Sequence, residues 1–203
     1  MELYDYPNAA APNPTKVRIY IVEKGLDIPL HTIDLAIGDQ RKESYRAINP
    51  LGKVPVLKLN DGTCLPESTA IMEYLEEVYP EPSLIGNTYE KRAQVRALER
   101  FIDLNVLKTA STIVVHSEPV FAHRTQFAEL AKQQRSELAA MLAILEGFIG
   151  QGPFAFGKEP TIADCTLCAA VRFMEAFELK YSENYPCLRL WWEHFCTRPS
   201  ASA

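Results

Sequence analysis

The order of predicted elements in the first eighty residues constrains the fold more than any other feature of the sequence. Residues 2–6 and 30–35 have the composition of strands, and the segment "TKVRIYIVEKG" between them is typical of a helix. We predict that this helix begins at Pro14, where a missing N–H costs nothing, and ends at Gly25, a good left-handed cap. Strand, helix and strand at this spacing predict a βαβ unit, and hence a parallel pair of strands.

A hairpin and another helix are predicted to follow this unit. The polar stretch 38–52 is expected to hold a short helix, and residues 56–59 and 63–65 flank Asp61-Gly62, a strong turn signal. The next helix carries its apolar residues on one face, and they are Ile71, Met72, Leu75 and Val78. The first eighty residues therefore predict the order β-α-β-α-β-β-α.

The remainder of the chain has a different pattern. Residues 80–87, "PEPSLIGN", look like a linker, and no convincing strand follows them. Apolar residues at helical spacing mark one helix around 98–102 and another over 138–149. The segment "TIAD" at 161–164 is a capping box with Asp in place of Glu, and it predicts the start of a further helix. A last helix is predicted over "PCLRLWWEHFC", so this part of the chain is expected to be all-helical.

Charge and composition argue against several classes of function. The 203 residues carry a formal net charge of -5, and 47% of them are hydrophobic. Such an acidic chain lacks the basic footprint of a nucleic-acid-binding protein, and no apolar run approaches the ~20 residues that span a bilayer. The N-terminus lacks the charged-then-apolar plan of a signal peptide, so we expect a cytoplasmic protein.

The five cysteines predict neither a disulfide framework nor a metal site. Their number is odd and they have no scaffold-like spacing. Cys165 and Cys168 have the spacing of a redox pair, but they lie within a predicted late helix, so we interpret them as small core residues. Together with Cys187 and Cys196 they suggest zinc, yet the capping box and the helix between them argue against a compact four-ligand knuckle.

Pro55 stands where the first strand of the hairpin begins, and two interpretations fit it. In the first, the Val54–Pro55 bond is cis, and the backbone N–H and C=O of Val54 are free to bind an extended peptide as an added strand would. In the second, Pro55 lies on an edge strand that tolerates a residue without an N–H.

Glu67 and Ser68 lie at the start of the helix that follows the hairpin. A helix N-terminus binds carboxylates, Ser68 adds a hydroxyl donor, and Glu67 accepts from an ammonium group. Alternatively, these side chains only cap their own helix. Lys53 and Gln40, on neighbouring loops, are candidates for a second carboxylate or are simply solvated. Together these residues suit a small peptide with a free α-amino-acid end.

This combination of motifs resembles the glutathione transferase family. The segments that carry the resemblance cover nearly the whole chain, and they are "LYDYP", "PNPTKVRIYIVEKGL", "INPLGKVPVLKLNDG", "LPESTAIMEYLEEVYPEPSLIG" and "TIADCTL" leading to "RPS". The resemblance implies an α/β N-terminal thioredoxin-like domain over 1–80 that binds glutathione. It also implies an all-α C-terminal helical domain over 88–203.

The resemblance assigns roles residue by residue. Val54 matches the residue whose backbone pairs with the cysteinyl part of glutathione, and Pro55 matches the family's cis-proline. Glu67 and Ser68 match the pair that holds the γ-glutamyl end. Lys53 and Gln40 match the positions that hold the glycyl carboxylate. Thr161 and Asp164 match the family's helix-capping motif.

The group that usually activates the thiol is missing from the first loop. A free thiol has a pKa of ~8.5, and many family members lower it with a Ser, Tyr or Cys near the first helix. Theta-like members carry a Ser six residues before the helix valine. Counting back from Val17 reaches Ala11, which ends the run Ala9-Ala10-Ala11.

Three other groups are candidates to activate the thiol in its place. The N-terminus of the first helix stabilises a thiolate through its dipole, with Asn13 as an amide donor, unless Asn13 is a plain helix cap. Thr112 and His116 lie one helical turn apart and are candidates to hold a water near the sulfur, unless His116 is structural. Tyr6 ends the first strand, where an aromatic ring most often serves packing.

We therefore expect a homodimeric glutathione transferase that uses glutathione as co-substrate, without a metal, to conjugate small electrophiles in detoxification. The electrophile is expected against the helical domain near His116, Phe121 and His123. Two alternatives are a glutathione-dependent disulfide reductase and a non-catalytic glutathione- or ligand-binding protein. We interpret Glu99, with its neighbours Arg100 and Asp103, as part of a solvated charged face in the region that the family uses for dimer contact.

Overall fold

The fold begins with one mixed sheet and continues as helices. A computed structural model describes residues 1–150, 152–181 and 184–203. In this part of the chain, four strands lie in the order β2-β1-β3-β4, with β1 parallel to β2 and the other pairs antiparallel. The strands are β1 (Glu2–Asp5), β2 (Leu30–Thr32), β3 (Val56–Lys58) and β4 (Cys64–Pro66).

The helices confirm the predicted order β-α-β-α-β-β-α and the helical remainder. Those among and directly after the strands are α1 (Pro12–Glu23), α2 (Glu43–Arg46) and α3 (Ser68–Val78). The others are α4 (Tyr89–Phe101), α5 (Lys108–Ser117), α6 (Ala128–Phe148), α7 (Ile162–Ala176) and α8 (Pro186–Phe195). A π-helix over Ile102–Leu107 joins α4 to α5. This is the predicted thioredoxin-like α/β fold followed by an all-α part.

Helix α1 begins two residues earlier than the sequence predicted. Pro12 occupies its first position and Pro14 its third, so the choice of Pro14 as the first helical residue was wrong. Both prolines fit because the first turn of a helix has no internal acceptor for its N–H groups. The predicted cap is confirmed: Gly25 has a φ of 65° and donates to the carbonyl oxygen of Val22 at 3.0 Å.

Strand β2 is shorter than the predicted segment 30–35. The strand ends at Thr32. The N–H of the next residue, Ile33, donates to the carbonyl oxygen of Asp5 at 2.7 Å. Because β1 ends at Asp5, the residues beyond Ile33 have no neighbouring strand to pair with.

Helix α1 is buried on every side and connects the sheet to the helical part. Residues 14–21 are all buried, because α1 packs against α3, α7 and the C-terminal turn Pro199–Ser202. The hydroxyl of Tyr20 donates to Oε2 of Glu76 at 2.8 Å, and burial raises the pKa of that phenol. The position of α1 is therefore fixed from both halves of the chain.

Hydrogen bonds hold the predicted linker, residues 80–87, against the C-terminal end of α1. The Nζ of the buried Lys24 donates to the carbonyl oxygens of Tyr79 at 2.6 Å and Pro82 at 2.7 Å, and lies 2.8 Å from Oε2 of Glu76. The other oxygen of Glu76 accepts the N–H of Leu84 at 2.8 Å. The domain boundaries at 1–80 and 88–203 stay a prediction.

The predicted capping box at the start of α7 is confirmed. The carboxylate of Asp164 accepts the N–H of Thr161 at 2.8 Å and its hydroxyl at 2.9 Å. The same carboxylate accepts the N–H of Ala155 and the indole N–H of Trp191, both at 2.7 Å. Asp164 is completely buried, and burial raises its pKa although four donors surround it.

The cysteines Cys165 and Cys168 lie buried in α7, and burial raises the pKa of Cys168 to about 12. Across the described residues, no group of three or more His, Cys, Asp or Glu side chains is arranged to hold a metal ion. None of the helices in that part of the chain has the length and apolar character needed to cross a membrane.

Candidate glutathione site

Pro55 immediately precedes an inner strand of the sheet. The Val54–Pro55 peptide bond is cis, and β3 pairs with β1 on one side and β4 on the other. The interpretation of Pro55 as part of an edge strand is therefore wrong. In the described part of the chain, neither the N–H nor the C=O of Val54 has a hydrogen-bond partner. Val54 thus offers one donor and one acceptor to an extended peptide.

The loop before Val54 is held in place by two side chains. The carbonyl oxygen of Lys53 accepts the hydroxyl of Tyr45 at 2.6 Å and the amide of Asn49 at 2.8 Å. Tyr45 is buried, and burial raises the pKa of its phenol to about 12. These two bonds fix the backbone that leads into Val54.

The N-terminus of α3 has free backbone donors. Its ladder begins with the N–H of Ile71, which donates to the carbonyl oxygen of Glu67 at 2.9 Å. Neither Glu67 nor Ser68 makes a side-chain capping bond, so the interpretation that they only cap their own helix is wrong. Glu67 has a φ of 73°, an unusual value for a residue with a side chain. The donors of this first turn are available to a carboxylate.

The N-terminus of α1 meets the N-terminus of α3. The hydroxyl of the buried Ser68 donates to Oδ1 of Asn13 at 3.3 Å, and both residues line a cavity of about 310 Å³ together with Glu67. Ala11 precedes α1 without a side-chain cap, and the prolines at 12 and 14 have no N–H. Asn13 therefore supplies both a free backbone N–H and an amide NH₂ at this end of α1.

The opposite wall of this cavity comes from the π-helix and its neighbours. π-helical turns often occur at functional sites, and here the turn lies where α4 passes into α5. The wall residues beyond Thr69 of α3 are Arg100, Asp103, Leu104, Leu107, Lys108 and Ser111. The cavity thus has a polar floor from α1 and α3 and a mixed wall from the helical part.

A buried charge network supports the cavity from behind. Lys16 of α1 is completely buried, and its Nζ lies 3.0 Å from Oδ1 of Asp103, 3.2 Å from the hydroxyl of Thr69 and 3.5 Å from Oε1 of Glu99. The same oxygen of Glu99 accepts the hydroxyls of Thr69 at 3.2 Å and of Thr166 at 2.9 Å. This network joins α1, α3, α4 and α7 directly behind Ser68.

The structure corrects the interpretation of Glu99. The sequence suggested a solvated charged face, but Glu99 is completely buried, and its Oε2 has no hydrogen-bond partner among the described residues. Sequence reasoning also missed Lys16. The available signal was its place in α1, because apolar residues at 17, 19, 20 and 21 leave that helix no face for solvent.

Gln40 and Lys53 lie on loops that touch. An added Cβ at Gly52 would lie 2.8 Å from the carbonyl oxygen of Gln40, and Gly52 has a φ of 59°, which favours glycine. The side chain of Lys53 is exposed, whereas Oε1 of Gln40 is buried without a hydrogen-bond partner in the described chain. The backbone of Gln40 therefore lies next to the residue before Lys53, and the assigned role of the two side chains stays a prediction.

Thr112 and His116 are not among the residues that line the first cavity. The hydroxyl of Thr112 donates to the carbonyl oxygen of Lys108 at 2.9 Å, and Nδ1 of His116 accepts the N–H of Phe127 at 3.3 Å. His116 faces a different cavity at the end of α5. The structure thus brings Asn13 close to Ser68, and it does not bring Thr112 and His116 there. Their role in holding a water stays a prediction.

Comparison with known proteins gives the family of this chain. Sequence models described as "Glutathione S-transferase, N-terminal domain" and "Glutathione S-transferase, C-terminal domain" match residues 10–78 and 105–199. The chain is 31% identical to the maleylacetoacetate isomerase of Pseudomonas aeruginosa, over 87% of this chain and 82% of that protein. The chain belongs to the glutathione transferase family. It is also 29% identical to glutathione S-transferase 2 of Saccharomyces cerevisiae, over 98% of this chain and 87% of the yeast protein.

Solved structures of glutathione transferases share the whole architecture. The crystal structure of Gtt2 from Saccharomyces cerevisiae superposes with a TM-score of 0.89 at 30% identity, covering 99% of this chain and 98% of that one. A glutathione S-transferase domain-containing protein of Marinobacter aquaeolei VT8 gives the same TM-score at 29% identity, covering 99% and 100% of the two chains. Both parts of this transferase fold therefore have known counterparts.

Proposed function

We propose that this protein is a transferase that conjugates the thiolate of glutathione to small electrophiles. The observation that carries the proposal is the contact between Ser68 and Asn13, which places two helix N-termini on one cavity. One N-terminus suits a carboxylate and the other suits a thiolate, because both have free N–H groups and partial positive charge. Glutathione carries both of these anions.

In this proposal, glutathione lies along the backbone that leads into β3. Val54 pairs with the cysteinyl unit through its N–H and C=O, and Ser68 with the first turn of α3 receives the γ-glutamyl carboxylate. Glu67 accepts from the γ-glutamyl ammonium group. Lys53 and Gln40 receive the glycyl carboxylate at the far end. The backbone of Val54 has no hydrogen-bond partner in the described chain, and the side chains of Lys53 and Glu67 are exposed. The first turn of α3 has free N–H donors, whereas the amide of Gln40 donates to the carbonyl oxygen of Leu35 at 3.5 Å.

Asn13 and the N-terminus of α1 are proposed to lower the pKa of the bound thiol. The run Ala9-Ala10-Ala11 offers no side-chain hydroxyl or thiol for this purpose, so the backbone and amide donors of Asn13 take its place. With an aryl chloride, the thiolate sulfur forms a bond to the ring carbon, the C–Cl bond breaks and chloride leaves. The thiol proton passes to solvent before the attack.

A second candidate is glutathione-dependent isomerisation. Its support is the similarity to maleylacetoacetate isomerases, with 31% to 33% identity among those of Pseudomonas aeruginosa, Rattus norvegicus and Mus musculus. In such a reaction the thiolate adds to a carbon–carbon double bond and leaves again after rotation, so glutathione is regenerated. The site proposed here serves both reactions, because both begin with a thiolate.

A panel of four assays at neutral pH tests the proposal. Turnover of 1-chloro-2,4-dinitrobenzene with glutathione is the expected result. Turnover of maleylpyruvate without aryl-halide activity would favour the isomerase, and turnover of a mixed disulfide alone would favour the reductase. Retention on immobilised glutathione without any turnover would favour a non-catalytic glutathione-binding protein.

Two single variants test the source of thiol activation. We expect Asn13→Ala to lower kcat/KM about tenfold by raising the pKa of the bound thiol, because one positioned donor contributes roughly 1–2 kcal/mol. The pH profile of kcat/KM measures that pKa. The matched variant is His116→Ala. An unchanged rate in His116→Ala would contradict the role of Thr112 and His116 in holding a water. A large loss of rate in His116→Ala, with none in Asn13→Ala, would contradict the role of Asn13.

Homodimer formation and a cytoplasmic location are part of the proposal. The chain is also proposed to act without a metal, on the chemistry of the thiolate alone. A role in detoxification follows from the proposed reaction and is tested with it.

A further inference from the structure

A separate cavity lies between α5, α6 and the segment that follows α7. It measures about 440 Å³, and none of the residues proposed to contact glutathione lines it. Its polar rim includes Arg135 and Glu178. Its floor is formed by buried aliphatic side chains, and they are Ile113, Leu138, Leu142 and Leu179. An apolar floor with a few polar groups at the edge is the usual form of a small-molecule site.

Arg135 stands in the inward-facing row of α6. The buried residues of that helix are Ala131, Leu138, Leu142 and Leu145. Arg135 precedes Leu142 by seven residues, a separation that brings two positions of an α-helix to within about 20° of each other. A polar residue on a core-facing row is unfavourable unless it has a function. In the described part of the chain Arg135 has no hydrogen bond or ion pair, so its exposed guanidinium is free to meet a ligand.

Glu178 occupies a position that usually belongs to glycine. The N–H of Leu179 donates to the carbonyl oxygen of Met174 at 2.8 Å, and the N–H of Glu178 donates to that of Glu175 at 3.1 Å. This is the Schellman pattern at the end of α7, and Glu178 is its left-handed residue with a φ of 54°. Among the described residues, the other non-glycine residue with positive φ is Glu67 in the glutathione cavity. Residues in such conformations cluster at ligand sites.

The carboxylate of Glu178 has no partner that offsets this conformation. Its side chain makes no hydrogen bond or ion pair within the described chain, although Arg135 lines the same cavity. Lys180 lines the cavity too, but it already has a partner. The cavity therefore presents one free guanidinium and one free carboxylate that do not neutralise each other.

The hydroxyl groups on the rim are already used as donors. Tyr181 donates its hydroxyl to Oε1 of Glu175 at 2.6 Å. Tyr185 donates its hydroxyl to the carbonyl oxygen of Ala139 at 2.8 Å. Recognition thus depends mainly on the two free charges and the apolar floor. A ligand with an anion, a cation and an apolar body matches this set, because each charge then meets its opposite.

We propose that this cavity binds a large apolar α-amino acid, such as leucine or phenylalanine. Arg135 receives the α-carboxylate, for which its planar guanidinium offers two parallel donors, and Glu178 accepts from the α-ammonium group. The apolar side chain lies on the floor formed by Leu138, Leu142 and Leu179. This site is independent of the proposed transferase function and takes no part in the reaction of glutathione.

Titration calorimetry with L-phenylalanine tests the site. Two analogues should each bind at least tenfold more weakly: 3-phenylpropanoate, which lacks the ammonium group, and 2-phenylethylamine, which lacks the carboxylate. Arg135→Gln and Glu178→Gln should each lower the affinity about tenfold, because each removes a hydrogen bond between charged groups. Glu137→Gln, an exposed position of α6 outside the cavity, and Lys180→Gln are the matched controls and should stay within twofold of wild type.

The variant Glu178→Gly separates a ligand role of this residue from a structural one. Glycine adopts the left-handed conformation without strain, so we expect the midpoint of urea unfolding to rise while the affinity for L-phenylalanine falls about tenfold. Wild-type affinity in Glu178→Gly, or a loss in Lys180→Gln instead of Arg135→Gln, would overturn the proposal. So would the absence of binding of both L-leucine and L-phenylalanine to wild type. Each result is obtained without glutathione and holds whether or not the protein is a transferase.

Discussion

Ser68 is the residue on which the proposed glutathione site depends most directly. Its hydroxyl is buried and has only Oδ1 of Asn13 as a protein partner in the described chain. We expect Ser68→Ala to weaken glutathione binding about tenfold, because a hydrogen bond to a charged group contributes roughly 1.5–3 kcal/mol. Titration calorimetry with glutathione measures the change.

Ser111→Ala is the matched control for this prediction. Ser111 lines the same cavity from α5 but has no assigned contact with glutathione. Its affinity for glutathione should stay within twofold of wild type on the scale of a surface substitution. Equal affinities in wild type and Ser68→Ala would contradict the role of Ser68.

Tyr45, which holds the loop before Val54, makes the free energy of unfolding depend on pH in the alkaline range. Burial raises the pKa of its phenol to about 12 from the ordinary value of 10.0. Between these values the unfolded chain releases the proton and the folded protein keeps it, so the contribution of Tyr45 to stability is complete below pH 10 and is lost by pH 12. We expect Tyr45→Phe to flatten this fall in the free energy of unfolding, measured by denaturant titration across that range.

The same substitution has a moderate cost at neutral pH. The carbonyl oxygen of Lys53 keeps its bond to Asn49 when the phenol is removed, so Tyr45→Phe should lower the free energy of unfolding by only about 1 kcal/mol. A pH dependence identical to wild type would show that another group is responsible.

At the residue scale, the sequence revealed short-range features and missed long-range ones. Val54, Glu67 and Ser68 lie beside signals that can be read locally, namely a proline before a strand and the start of a helix. Lys16 and Glu99 are separated by 83 positions, and their burial depends on how α1 packs against α4 and α7. No local pattern predicts such a contact, so these residues became visible only in the fold.

At the scale of elements, α1 carries the completely buried charge of Lys16 into the interior of the protein. Replacing Lys16 with methionine leaves the completely buried Glu99 with only Arg100 as a cation, at 3.9 Å, whereas Asp103 keeps its bond to Arg100 at 2.9 Å. Breaking a buried pair by removing one partner costs about 3–5 kcal/mol, and we expect Lys16→Met to lose that much stability in urea unfolding.

Arg96→Met provides the comparison for Lys16→Met. Arg96 of α4 pairs with Glu73 of α3 at 2.8 Å, but each side chain is 39% exposed. Solvent screens such a pair, and its loss should cost less than about 1 kcal/mol. Similar losses in both variants would contradict the expectation that the buried pair contributes more to stability than the exposed one.

At the element scale, most segments were predictable but their ends were not. The periodicity around 138–149 identified α6, and the capping box located the start of α7 to the residue. Pro12 and Pro14 both satisfy the rules for a first helical turn, so sequence rules alone did not decide between them. The π-helix was not predicted, because the apolar residues that marked this helix in the sequence ended at Ile102, where the π-helix begins.

For the whole molecule, the first prediction concerns ligand binding. A ligand that binds only the folded state stabilises it by about 2.7 kcal/mol at a hundredfold excess over its Kd. We expect glutathione to raise Tm accordingly, and to do so less in Ser68→Ala at the same concentration. S-methylglutathione should act similarly, because the proposed contacts with Val54 and Ser68 do not involve sulfur.

The second prediction at this scale concerns assembly. A homodimer should give twice the chain mass of 22.9 kDa by light scattering after size-exclusion chromatography. The predicted mass should persist on dilution to the concentrations used in assays. A single-chain mass under those conditions would remove the homodimer from the proposal.

The π-helix at Ile102–Leu107 has a consequence for how new substrates arise on this scaffold. Each residue added to or removed from a helix turns everything after it by about 100°. A one-residue deletion there would turn Lys108 and Ser111 away from the cavity that they line with Asn13 and Ser68, and other side chains of α5 would take their place. Substrate choice on this framework is therefore open to change by the length of this helix as well as by substitution.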